Sequence, residues 1–229
     1  QLIYDDRALH FFRTFVEATE KENYYEIPAA ESWDFVIEDE AWYPETPLEQ
    51  AECSFAFQPV IDPFAKEVVS YEALLRTNSG ESPAVYFDGL SREEIYWTDL
   101  HSKRIAFAMA GRLHLRGRTL SINLLPMTLV NVPNAVEFLL AEIEASGLIP
   151  EQIIVEFTES EAISRVDEFT DSVRKLKSAG IRVAIDHFGA GFAGLVLLAQ
   201  FQPDRIKINR QLVKDIHKHG PKQAIVQAI

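Results

Sequence analysis

Two strand-like runs, FAFQPVID (55–62) and KEVVSYEALLR (66–76), are joined by nothing longer than the turn DPFAK. A helical crossover does not fit into so short a connection, so the two strands must lie antiparallel. Beyond them the pattern changes to a regular alternation. Helix is expected over 91–115, strand over 119–126, and helix over 131–147 with Asn131 as its cap and Pro133 in its first turn. Strand follows over 153–160, then helix over 161–179 ended by Gly180, and strand over 181–188. A short helix within 191–202, a strand over 204–210 and a helix from 211 onward complete the series. Alternation of this kind makes an α/β protein with a mostly parallel sheet. Six strands suit either a TIM-type (β/α) barrel or an open doubly wound sheet. The last helical run reaches Ile229 about two βα units short of a full barrel, so the C-terminal barrel units are expected to be missing from this chain.

The chain has 229 residues, 47% of them hydrophobic, enough for one sizeable core or one domain with an appendage. A single cysteine, Cys53, excludes an internal disulfide and suits a reducing compartment. There is no apolar run long enough to cross a membrane as a helix and no secretory signal pattern. The net charge of -13 is unevenly placed: residues 1–52 hold 14 acidic and 3 basic side chains. That distribution excludes a global basic footprint for nucleic acid. Residues 6–21 read as an amphipathic helix with Leu9, Phe12, Phe15 and Val16 on one face. Trp33 and Trp42, in the aromatic and acidic stretch that follows, read as buried anchors.

Alternation inside the strands carries the chemistry. Glu72 shares a face with Ser70 and Leu74; Asn123 with Ser121; Glu156 with Ile154; Asp186 with Ala184; and Lys207 with Arg205. The opposite faces hold the branched and aromatic residues that crossover helices cover. The polar set therefore points inward and lies late in each strand, where a barrel carries its site. Three carboxylates and an amide oxygen make a hard ligand set for Mg2+ or Mn2+. Lys207 beside them can donate to a phosphate or orient water. The same residues could instead form a polar plug, the acids paired with Lys207 and Arg205. Arg76, one face-step beyond Leu74, reads as a phosphate contact or a rim salt bridge. Gln58 reads as a base-edge contact or a core-edge amide. GAGFAG (189–194) matches a dinucleotide-loop spacing, but a tight turn at the mouth explains the same glycines.

The stretches FQPVID, YEALLR, SINLLP, VEFTES, AIDHFGAGFAGL and PDRIKINR, in this order, resemble the EAL domain, the cyclic di-GMP phosphodiesterase family. The resemblance implies a modified TIM-type barrel with an antiparallel first strand. It implies metal ligands at Glu72, Asn123, Glu156 and Asp186, a catalytic lysine at Lys207, and ligand contacts from Gln58 and Arg76. It divides the chain into an acidic helical or linker segment, 1–52, and an EAL domain, 53–229, incomplete at its C-terminus.

The chain departs from the family pattern at His187, in place of a second aspartate that serves the second metal, and at Ala190, Phe192, Ala193, Gly194 and Asn209. With these departures and its N-terminal segment, the chain resembles the degenerate EAL part of enterobacterial BLUF–EAL blue-light proteins. That resemblance implies a cytoplasmic signalling module acting through protein contact, with little or no phosphodiesterase activity. It would relay light from a BLUF domain to a MerR-like transcriptional repressor, with no direct nucleic-acid or membrane contact, and homodimer formation is left open. No FMN or FAD is expected in this region, flavin being expected only in a preceding BLUF domain. The alternatives are a metal-dependent phosphodiesterase converting cyclic di-GMP to pGpG, and a receptor that binds cyclic di-GMP without hydrolysis.

Overall fold

The computed structural model describes residues 53–113, 115, 117–158, 165–190 and 194–229. The expected helix over 6–21, the anchors Trp33 and Trp42, and residues 191–193 of the glycine turn lie outside the described residues.

β1 (Cys53–Asp62) and β2 (Glu67–Thr77) form an antiparallel hairpin. Its turn is made by the side chain of Asp62, whose Oδ1 accepts from the backbone N–H of Phe64 at 2.8 Å and of Ala65 at 3.0 Å. The short α1 (Pro83–Tyr86) and the long α2 (Arg92–Arg112) follow. Ser91 and Glu94 start α2 with a reciprocal capping box, each side chain accepting from the other's backbone N–H. β3 (Thr119–Asn123), α3 (Thr128–Asn131), α4 (Ala135–Ala145), β4 (Ile153–Thr158), α5 (Val166–Ser178), β5 (Arg182–Phe188), α6 (Gly194–Phe201) and β6 (Arg205–Ile208) continue the alternation. Among the described residues these strands make one sheet in chain order, every pair after the hairpin being parallel. It is the mixed, mostly parallel sheet of a partial TIM-type barrel with an antiparallel first strand.

In the span 131–147 the helix starts later than expected, and Asn131, the expected cap, is instead the last residue of α3. Val132 precedes Pro133 and is extended, with ψ 117°, because the proline ring clashes with a helical neighbour. α4 therefore starts only at Ala135, after Asn134 in the left-handed region at φ 58°. The expected end of α5 holds. Gly180, at φ 97°, lets Ile181 N–H reach back to the Leu176 carbonyl at 3.1 Å and its own N–H to Lys177 at 3.0 Å.

The outward strand residues Leu120, Ile122, Val155, Phe157, Val183 and Ile185 are fully buried in one core with Phe107, Leu139, Ile143, Phe169, Val173 and Leu176 of the helices. Phe157, Phe169 and Phe201 meet edge to face within it. With this layer in place, no choice is left to the opposite strand faces: they line the interior.

Residues Arg210–Ile229 belong to a second compact unit and hold α7 (Arg210–Val213) and α8 (Gly220–Ala228). Lys222 Nζ donates to the carbonyls of Gln211 and Lys214 at 2.6 and 2.8 Å, tying these two helices together. Among the described residues no helix is long and apolar enough to cross a membrane.

Candidate active site

Parallel registry brings the polar set together in steps. Glu72 stands opposite Ser121, and Asn123 opposite Glu156. On β5 the ladder with β6 slips between Ile185 and Phe188, so that Asp186 and His187 together face Lys207. This is a β-bulge, a device that re-aims side chains at the rim of a barrel. His187 takes the left-handed conformation, φ 56°, and its side chain is exposed while Asp186 stays buried. Asp186 accepts the backbone N–H of His187 on Oδ1 at 2.8 Å, and its Oδ2 lies 2.8 Å from His187 Nδ1.

One carboxylate oxygen from each of Glu72, Glu156 and Asp186 lies within 4.8 Å of the others. Asn123 Nδ2 donates to Glu72 Oε1 at 3.0 Å. Lys207 Nζ sits in the middle of the acids, 2.5 Å from Glu156 Oε2, 2.8 Å from Glu72 Oε2 and 3.4 Å from Asp186 Oδ1. Burial pushes the Glu156 carboxyl above the usual range; Lys207 opposes that push and Glu72 adds to it. For Lys207 burial acts downward, but the charge of Glu156, its hydrogen bond and the Glu72 contact outweigh it and hold the ammonium above its ordinary range.

Of the two cations expected in a polar plug, Lys207 meets the acids, while Arg205 stands in register with Ala184. Gln58 faces Glu72 across the hairpin and is exposed. Arg76, half-buried at the end of β2, donates from its guanidinium to the Leu75 carbonyl at 2.7 Å. One buried acid escaped the sequence reading. Asp99 on α2 accepts from Leu125 N–H and Thr128 Oγ1, both at 2.9 Å, just past the end of β3. The signal available was an acid four residues before Lys103 on the apolar side of a helix.

The donor set tests well for a divalent cation. Three converging carboxylate oxygens and a neighbouring amide are hard ligands, and the burial of Glu156 and Asp186 demands positive charge. Residues 41–229 match the EAL domain family. The chain belongs to it.

The chain is 54% identical, over its whole length, to 57% of the blue light- and temperature-regulated antirepressor BluF of Escherichia coli K12. It is similar to Klebsiella pneumoniae BlrP1 in its manganese and cyclic di-GMP complex at pH 9.0, with TM-score 0.74 and 46% identity, covering 78% of this chain and 46% of that one. It is similar also to a standalone EAL protein from Vibrio cholerae O395 in its cyclic di-GMP-bound form, with TM-score 0.69 and 32% identity, covering 77% of this chain and 74% of that one. The domain thus spans about half the length of the first two relatives.

These findings correct the expectation of a degenerate module that works through protein contact with little or no phosphodiesterase activity. Glu72, Glu156 and Asp186 remain convergent, the last two buried and Glu72 partly so, in a fold shared with a metal- and cyclic di-GMP-bound domain. The substitution at His187 does not displace Asp186: the imidazole is largely exposed, its Nδ1 lies 2.8 Å from Asp186 Oδ2, and Asp186 stays inside.

Proposed function

We propose that this EAL domain is a metal-dependent phosphodiesterase that opens cyclic di-GMP to linear pGpG. The convergence of Glu72, Glu156 and Asp186 carries this reading. With Asn123 they are assigned as the ligands of Mg2+ or Mn2+, and His187 as the neighbouring ligand position. When bound, such a cation polarises the phosphoryl oxygens and makes a nucleophile of water near neutral pH.

The chain's own residues do the rest. The three carboxylates hold fixed negative charge where the cation is needed, at no reorganisation cost during the reaction. Asn123 keeps Glu72 in place through its amide N–H. Lys207 is assigned as the catalytic lysine. Its ammonium has three donors, and a phosphate oxygen or the attacking water can take one of those now given to the acids. Arg76 is assigned to the phosphate group, its planar fork suiting two parallel bonds. Gln58, exposed on β1 opposite Glu72, is assigned to a guanine edge.

The test is incubation of the chain with cyclic di-GMP and Mg2+ or Mn2+, with pGpG followed by chromatography. Metal-dependent release, lost in Lys207→Met and in Glu156→Gln, is the expected result. Binding of cyclic di-GMP without release under either metal would overturn the assignment in favour of a receptor.

A further inference from the structure

We propose that Asp99 is a positioning residue for this site, reaching from α2 to fix the turn that follows Asn123; the inference rests on the phosphodiesterase reading above. Asp99, Lys103, Ser102 and Thr128 are all buried. Asp99 Oδ1 accepts from Lys103 Nζ at 2.6 Å, and Oδ2 accepts from Leu125 N–H and Thr128 Oγ1. Lys103 also donates to Ser102 Oγ at 3.1 Å, and Ser102 Oγ to the Asp99 carbonyl at 2.7 Å. The pair is thereby closed on itself and on one loop.

That loop carries the site. Strand β3 was expected to run to residue 126, yet it ends at Asn123. Leu124 N–H still bonds to the Glu156 carbonyl at 3.0 Å, and the next N–H, that of Leu125, goes to Asp99. A carboxylate thus replaces the neighbouring strand at the first peptide beyond the sheet. It sets where β3 ends, and so where the Asn123 amide meets Glu72. Stability alone is a poor reason for such a pair, because a buried ion pair is often replaceable by apolar side chains without loss. A fixed register at a ligand residue is a reason an apolar pair cannot satisfy.

Two double variants of the full chain separate the roles. Asp99→Asn with Lys103→Met removes both charges but keeps an oxygen for the loop. Asp99→Leu with Lys103→Met removes the charges and the oxygen. The second is expected to weaken Mn2+ binding in calorimetry by at least about tenfold and the first by less than about threefold, at similar melting temperatures. In metal-free protein the Asn123 side-chain amide resonances should shift in the leucine variant and stay in the asparagine variant. Unmoved resonances in the leucine variant, or equal losses in both, would overturn the proposal. Should the leucine variant not fold, Thr128→Val removes one of the two loop bonds, and an unmoved Asn123 resonance there overturns it equally. If the wild-type chain binds no Mn2+, the phosphodiesterase reading fails and the amide resonances still decide the role of Asp99.

Discussion

At the scale of single residues the site is a balance between three acids and one ammonium. Glu156→Gln keeps the shape and removes a charge. Turnover should fall by several kcal/mol of transition-state stabilisation, about 1000-fold, in a single-turnover assay. The ion pairing also sets a pH dependence in chelated protein. Lys207 is held above its ordinary 10.5, so its contribution is fully present below that pH and is lost as pH rises through the folded value. Urea melts at about pH 9 and about pH 11 should show a steeper loss for wild type than for Lys207→Met. Assigned as the neighbouring ligand position, His187 predicts a different preference. An imidazole nitrogen suits Mn2+ better than Mg2+, which demands oxygen. His187→Asp should therefore raise Mg2+ affinity relative to Mn2+ by about tenfold or more, read by calorimetry.

At the scale of elements, hairpin, bulge and caps decide geometry. The five-residue turn forced antiparallel pairing, and the structure has it, because Asp62 closes a tight turn with its own side chain. The bulge on β5 was not legible, since strand alternation assumes one residue per step and cannot reveal two residues facing Lys207. The late start of α4 is illegible for another reason. Pro133 was placed inside a first helical turn, whereas the clash it imposes on Val132 stops α3 before it. Helix packing gives a prediction of its own. A Cβ on Gly111 of α2 would stand 2.3 Å from the Ser146 carbonyl oxygen at the end of α4. Helix propensity favours alanine by about 1 kcal/mol, but an overpacked backbone contact costs about 1–3 kcal/mol, so Gly111→Ala should lower the thermal midpoint.

At the scale of the whole chain, folding and metal binding are linked. A cation that binds only the folded site at about 100 times its dissociation constant adds about 2.7 kcal/mol. For a chain of 229 residues that corresponds to about 5–10 °C in melting temperature. Chelation should remove this increment from the wild type and change little in Glu156→Gln, as differential scanning fluorimetry can show.

What the residues determined by themselves was the strand count, the antiparallel start and the inward face of every strand, because these follow from local periodicity and connection length. Alternation was enough to put Glu72, Asn123, Glu156, Asp186 and Lys207 on one side of one sheet. It was not enough to weigh His187, which together with the altered glycine turn carries the expectation of a degenerate domain. Only the tertiary structure decided that Asp186 stays buried with the exposed imidazole against it, that Lys207 sits among the three acids, and that Asp99 takes the Leu125 N–H just past β3. Each of these depends on register and on contacts between elements far apart in the chain, and neither is written in the local pattern of residues.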